Sequence, residues 1–325
     1  MRINIWNDDE YKYEAAYGFI PNIRTYLHED DVIRPAMIVV PGGGYCMVVN
    51  AEGEPVVDEF YNRGMNVFVL TYTTDITTSV PLKMQPMNDL SRAIRLIRSR
   101  AAEFKIQPDR VGICGFSAGG HLCASISNHY KDVVDCDPEL NKLSNRPDIV
   151  VLSYPVITSG KFTHEYSIIS LLGFEADLEE KEYFSLEKQV TADTPPTFVW
   201  QTVTDDLVPV ENSILYVTAL REKGVPYCYY SFPNGRHGLS AANQRFKDGD
   251  MGEPYTFEQL DRAIEAVRNG TAVNLSKERY EQLIQQFGAT PEEAPQPDNS
   301  NPMIIYEDVA MWPELCAKWI KEIWD

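Results

Sequence analysis

The sequence predicts an α/β fold: a doubly wound, mostly parallel β-sheet with a small helical insertion before the last helix. Three observations carry this prediction. Short apolar runs, rich in Val, Ile and aromatic residues and poor in charge, recur along the chain. Runs of that kind read as parallel strands covered on both faces. Helical patterns separate them, and strand–helix–strand alternation implies right-handed crossovers. Finally, 325 residues with 44% hydrophobic and 24% charged side chains make an ordinary globular chain, read as one domain over 1–325.

In chain order, buried strands are expected at 36–40, 67–72, 111–114, 149–154, 198–203 and 227–232. Residues 2–6 and 23–27 add antiparallel strands at the edge. A helix is expected over 86–104, where Leu90, Ala93, Ile94, Ile97, Ala101 and Phe104 share a face. Another spans 210–223, closed by Gly224 just past its last turn. The last, 309–323, puts Val309, Trp312, Cys316, Trp319, Ile320 and Ile323 on one stripe.

Residues 244–302 break the alternation. Thr256 followed by Gln259 has the spacing of a capping box and opens a helix with Phe257, Leu260, Ile264 and Val267 inward, ended by Gly270. Ser276 caps a second, with Tyr280, Leu283, Ile284 and Phe287 on one side and Gly288 beyond. The Pro-rich stretch 289–302 then reads as a linker.

Composition excludes several classes. A formal charge of −19, from 48 acidic and 29 basic residues, repels nucleic acid. No apolar run approaches the ~18 residues of a membrane span, and the N-terminus lacks the pattern of a signal peptide. The six cysteines form no C-x-x-C or zinc-ligand spacing, so no metal is expected. Cys114 and Cys228 fall within strands, as buried thiols do. These features together point to a reduced cytoplasm. A homo-oligomer is left open.

The chemistry is carried by motifs at strand ends. Strand 111–114 runs into Gly115-Phe116-Ser117-Ala118-Gly119-Gly120, a G-x-S-x-G turn that opens a small-residue helix. A serine on so tight a turn needs neighbours without bulk. The helix start directs free N–H groups and a positive dipole end at a developing oxyanion. The strand at 36–40 ends in Pro41-Gly42-Gly43-Gly44-Tyr45, where three glycines suit a backbone that must come close to a ligand and offer N–H groups. Gly43 or Gly44, with Ala118 after the serine, would be the oxyanion donors. A phosphate loop would need G-x-G-x-x-G spacing or a Walker lysine, and neither is present.

With a nucleophile at such an elbow, the acid follows in the chain and the histidine comes last. Of five histidines, His28 precedes Ser117, His121 and His129 lie on the helix after it, and His164 precedes any strand-end acid. His237 alone follows the final strand, in a glycine-flanked loop. The acid belongs after 198–203, where Asp205 and Asp206 both stand. Asp205 fits better because the D-x-x-V-P pattern lets it face the site while Val208-Pro209 starts a helix; Asp206 is the fallback. Such an acid holds the imidazole tautomer without taking the proton.

PGGGY, GFSAGGH, TPPTFVWQTVTDDLVPVENS and FPNGRHGLS resemble bacterial esterase/lipase proteins of the α/β-hydrolase fold, near the hormone-sensitive-lipase-like and acetyl-esterase branch. The resemblance covers roughly residues 30–240 and 309–324. It implies Ser117, Asp205 and His237 as catalytic triad, Gly43, Gly44 and Ala118 as oxyanion donors, and no cofactor. The implied substrate is a small ester with a short acyl group, often an acetylated plant-wall sugar such as a xylo-oligosaccharide. Two features depart from the pattern. Pro41 replaces the usual His of His-Gly-Gly-Gly, which points to the sugar-esterase-like branch. The insertion at 244–302 lies outside the common pattern, and either a cap over the site or a subunit contact would account for it. Two rival readings are a prolyl-oligopeptidase-type peptidase, which usually carries a further large domain, and a non-catalytic receptor, which usually lacks a triad member.

Overall fold

The structure is a computed structural model that describes residues 1–288 and 306–325. Its sheet has eight strands: β1 (Arg2–Asn4), β2 (Asn22–Tyr26), β3 (Arg34–Val40), β4 (Asn66–Thr71), β5 (Ile106–Phe116), β6 (Ile149–Ser153), β7 (Thr197–Thr202) and β8 (Tyr227–Phe232). Their order is β1-β2-β4-β3-β5-β6-β7-β8. The pairs β1/β2 and β2/β4 are antiparallel, and every other pair is parallel. The sheet is therefore the doubly wound α/β type, with its two antiparallel strands at the edge.

The helices are α1 (Glu54–Tyr61), α2 (Gln85–Ser99), α3 (Ala118–His129), α4 (Glu165–Leu172), α5 (Leu178–Tyr183), α6 (Glu211–Glu222), α7 (Gln244–Lys247), α8 (Glu258–Arg268), α9 (Lys277–Phe287) and α10 (Trp312–Trp324). Alternate residues of one strand point to opposite faces, and the core divides accordingly. Ile38, Val40, Ile113, Val150, Leu152 and Val199 pack with Leu90, Ile94 and Ile97 of α2, Leu122 and Ile126 of α3, and Tyr216 and Leu220 of α6. Met37, Val39, Cys114, Phe116, Val151, Phe198 and Trp200 pack on the other side with Val56, Val57 and Phe60 of α1 and Trp312, Cys316 and Trp319 of α10. Trp200 and Trp312 stack at 5.4 Å there. The charge-poor strand sequences follow from this double coverage.

Two expectations need correction. The helix expected over 86–104 stops at Ser99, and Lys105 adopts φ 50°. Strand β5 then starts at Ile106, earlier than 111, because Ile106 pairs with Arg34 ahead of a bulge in the β3–β5 ladder. Phe104 still packs in the core, so its place on the apolar stripe reflected burial of the connection. The capping box at Thr256 does not form. Residues Tyr255–Phe257 make a 3-10 turn, Phe257 is the N-cap of α8, and the Gln259 carbonyl oxygen instead accepts the Thr74 N–H at 2.8 Å. Ser276 does cap α9, its side chain accepting from the Arg279 N–H.

The insertion packs on loops of its own chain. Ala263 of α8 joins Cys46 and Ile76, with Met47, Leu260 and Phe287 against them. Arg279 of α9 donates to the carbonyls of Ile76 and Thr77. The proposed linker at 289–302 lies outside the described residues. Among the described residues no helix is long and apolar enough to cross a membrane.

Candidate active site

Strand β5 turns into α3 at Ser117, whose φ of 51° and ψ of −118° form the sharp elbow that the G-x-S-x-G spacing implies. The glycines are demanded by space. A Cβ on Gly119 would lie 2.1 Å from the Val40 carbonyl oxygen, and one on Gly115 would lie 2.3 Å from the Gly119 carbonyl oxygen. Only glycine lets α3 sit so close to the ends of β3 and β5.

The three side chains singled out from sequence meet. The Ser117 hydroxyl is 2.8 Å from His237 Nε2. His237 Nδ1 lies 2.9 Å from Asp205 Oδ2 and 3.1 Å from Oδ1. Ser117 follows β5, Asp205 follows β7 and His237 follows β8, so all three lie beyond the carboxyl ends of parallel strands in one half of the sheet, where ligands of open α/β sheets bind. The Asp205 carboxylate is almost wholly buried and well bonded: its Oδ1 accepts the N–H groups of Leu207 and Val208, and Gln201 Nε2 lies 3.3 Å from Oδ2. Asp206 faces elsewhere. It accepts the backbone N–H of His237 at 2.9 Å, which holds its own carboxyl below the usual range and fixes the loop, not the ring.

The Pro41–Tyr45 loop is pinned along its length. Tyr72 donates to the Pro41 carbonyl at 2.8 Å, and Glu52 accepts the Gly42 N–H at 2.6 Å. The Tyr45 hydroxyl bonds His121 Nδ1 at 2.8 Å. Gly43 adopts φ 124°, and a Cβ there would lie 2.3 Å from the Met47 carbonyl oxygen. The backbone N–H groups of Gly43, Gly44 and Ala118 find no acceptor among the described residues.

A cleft of about 490 Å³ opens over Ser117 and His237. Its walls are mainly apolar, with Met47, Val49, Ala51 and Leu207, and Tyr166 and His164 lie at one side. Met47 also packs in the cluster shared with α8, so the insertion backs one wall of the cleft.

Sequence reasoning missed several of these residues. His164, set aside as a base, lines the cleft; its Nδ1 bonds the Ser167 hydroxyl at 2.7 Å and burial lowers its pKa. Glu52 and Tyr154 are bonded to each other under the Pro41–Tyr45 loop. They lie in segments with no motif, and long-range contact alone brings them to the site. Behind the loop the buried His121 ring stacks on Phe184 and meets Tyr45 edge-on, and burial pushes the imidazole pKa down to about 4.

Comparison with known proteins gives concordant results. The BD-FAE family model matches residues 25–220. The chain is 56% identical over 267 residues to endo-1,4-beta-xylanase B of Butyrivibrio fibrisolvens, covering 82% of this chain and 42% of that protein. It is 34% identical over 210 residues to the acetylxylan esterase of Xylanibacter ruminicola, covering 63% of this chain and 41% of that protein. The chain thus spans about four tenths of the length of these relatives. Among solved structures, the acetyl ester-xyloside bifunctional hydrolase of Caldicellulosiruptor lactoaceticus superposes with a TM-score of 0.71 at 36% identity, covering 83% of this chain and 97% of that one.

Proposed function

As this chain belongs to the BD-FAE family of α/β hydrolases, we propose that it is a serine carboxylesterase that removes short acyl groups, acetyl first among them, from carbohydrates. The observation that carries this reading is the contact of 2.8 Å between Ser117 Oγ and His237 Nε2, at the floor of an open cleft. The names of the two esterase relatives supply the acetyl and xylose-derived part of the proposal.

In the proposed reaction, Ser117 Oγ attacks the ester carbonyl carbon while His237 Nε2 takes the hydroxyl proton. Asp205 keeps the Nδ1–H directed at itself and stabilises the imidazolium. The carbonyl oxygen becomes an oxyanion, met by the N–H groups of Ala118 and of Gly43 or Gly44; each such donor is worth about 10²–10³ in rate. The carbon–oxygen bond to the sugar then breaks, and the alcohol leaves with the proton from His237. Water, deprotonated by the same imidazole, attacks the acyl-serine, and its collapse releases the carboxylic acid and restores Ser117.

The xylanase name of one relative suggests cleavage of a glycosidic bond. That chemistry uses two carboxyl groups flanking the bond. Among the described residues the cleft is lined by one carboxyl, Glu52, whose oxygens are both occupied. Ester hydrolysis is therefore the reading retained for this chain. All six cysteines are unpaired thiols, which fits the reducing cytoplasm proposed for it.

Hydrolysis of 4-nitrophenyl acetate and of acetylated xylo-oligosaccharides, by the chain as it stands and by Ser117→Ala, tests the proposal. Turnover of both substrates by the first and of neither by the second is expected. Equal rates for the two proteins would remove the assignment of Ser117. Preference for acyl chains of eight or more carbons would remove the short-acyl part.

A further inference from the structure

Glu52 has no part in the reaction steps above, yet it sits under them. It is 4% exposed and ten residues past Gly42, at the end of the 3-10 turn Asn50–Glu52. A buried carboxylate is costly unless its oxygens are bonded. Here Oε2 accepts the Gly42 N–H at 2.6 Å and Oε1 accepts the Tyr154 hydroxyl at 2.7 Å. The Tyr154 oxygen itself accepts the Ser240 N–H at 2.9 Å, so the phenol proton is committed to Glu52. The Gly42 N–H can only donate to Oε2, and the phenol presents its proton to Oε1, so both bonds favour the ionised acid. Burial raises the Glu52 pKa, while the Tyr154 and Gly42 hydrogen bonds and the nearby His237 oppose that rise.

This chain of bonds joins two loops that must act together. One end is the Gly42–Gly44 turn, and the other is Ser240, three residues past His237. Ser240 is further held through its hydroxyl to the Ala51 carbonyl at 2.6 Å and through its own carbonyl to Trp312 Nε1 at 3.0 Å. The Tyr154 ring meets the His237 ring edge-on at 4.8 Å.

We propose that Glu52 is a positioning residue whose carboxylate ties the oxyanion loop to the loop bearing His237 and favours the imidazolium that His237 becomes during attack. The inference rests on the esterase reading given above. The other groups facing His237 are Asp205 at Nδ1, Asp206 at its amide and His164 across the cleft, while the exposed Arg236 is its neighbour in the chain. Asp205 and Asp206 favour the charged ring, and His164 and Arg236 oppose it when charged. Glu52 adds a second-tier negative charge to the favourable side.

The test is a pH profile of 4-nitrophenyl acetate hydrolysis, with melting temperatures, for the unaltered chain, Glu52→Gln and Tyr154→Phe. In Glu52→Gln the amide NH₂ faces one of the two donors, so kcat should fall about 10²-fold while KM stays within about threefold. Loss of the negative charge disfavours the imidazolium, so the acid limb of kcat/KM should move to lower pH. Tyr154→Phe keeps the charge but cuts the tether, so kcat should fall about tenfold with no downward shift of the acid limb. This variant carries the test if Glu52→Gln does not fold. An acid limb that stays in place in Glu52→Gln, or a kcat for Tyr154→Phe equal to that of the unaltered chain, overturns the proposal. Inactivity of the unaltered chain towards aryl acetates is a separate result; it overturns the esterase reading, and this inference with it.

Discussion

The elbow around Ser117 and the insertion around α8 and α9 are held by different means. At the elbow, backbone meets backbone: Gly119 packs on the Val40 carbonyl and Gly115 on the Gly119 carbonyl, with no room for a methyl group. Every residue of α3 except Asn128 is buried. In the insertion, α9 buries only Leu283. It is held largely by arginines that reach carbonyls elsewhere: Arg279 to Ile76 and Thr77, and Arg262 of α8 to Tyr17. The close-packed region holds the groups to which the proposed reaction is assigned. The tethered region meets the cleft wall at Met47 and, through Arg279, at Tyr166.

The sharpest way to break that contrast lies at the elbow. Ser117→Ala should lower kcat for 4-nitrophenyl acetate by about 10⁶-fold and leave the melting temperature nearly unchanged, because only the hydroxyl is replaced, by a hydrogen on the same Cβ. Asp205→Asn should cost about 10⁴-fold, since the amide can present a donor to Nδ1 and favour the wrong tautomer. Asp206→Asn should cost far less, about tenfold, because it only weakens the bond to the His237 amide. Steady-state rates check all three, and a larger loss at 206 than at 205 would reverse the assignment.

The insertion makes the complementary case. Leu283→Ala empties the one fully buried position of α9. A loss of about 3 kcal/mol is expected in urea denaturation, within the range for buried leucine truncations. If the insertion is tethered as described, kcat of the folded variant stays within about threefold of the unaltered chain. A fall in kcat comparable to that of the triad variants would show that the two regions are one unit.

Legibility in the sequence divides along the same line. Gly115, Gly119 and the PGGGY loop could be read because local sterics fix them, and the order of Ser117, Asp205 and His237 follows from strand order. The sheet was legible from charge-poor runs, and strand β5 is longer than its apolar run because Gln107, Pro108, Asp109 and Arg110, which follow the buried Ile106, are not apolar and are at least partly exposed. Glu52, Tyr154 and His164 were not legible. Glu52 and Tyr154 meet across 102 residues, and Ser117 and His237 meet across 120. Only the second pair carried a motif at each end.

His121 sharpens the contrast within the elbow region. It is fully buried and bonded through Nδ1 to Tyr45 and through Nε2 to the Phe184 carbonyl. Burial lowers its pKa from 6.5 to about 4. Below pH 6.5 the unfolded chain binds a proton that the folded chain refuses, so the contribution is fully present above pH 6.5 and is lost as pH falls towards 4. The loss amounts to about 3 kcal/mol. His121→Gln should flatten the fall in stability between pH 6.5 and 4 measured by chemical denaturation. An unchanged slope would mean that other buried groups, such as His129, set the acid limit.

The smallest effect separates two caps with the same local signature. Thr256 and Ser276 both precede helical patterns in the insertion. Ser276 accepts the Arg279 N–H, whereas the Thr256 hydroxyl is buried with no hydrogen-bond partner among the described residues. Removing a cap costs about 1 kcal/mol, so Ser276→Ala should lower stability by that amount. Thr256→Val keeps the shape and deletes an unpaired polar group, so it should be neutral or stabilising by up to about 1 kcal/mol. Thermal denaturation of the two variants side by side decides the point. The difference arises because Gln259, which would complete the box, is drawn instead to the Thr74 amide, a bond that anchors α8 to the segment after β4. If Thr256→Val instead costs as much as Ser276→Ala, the hydroxyl is doing a cap's work and the start of α8 is held from within the insertion, which would make that region more self-sufficient than its tethers imply.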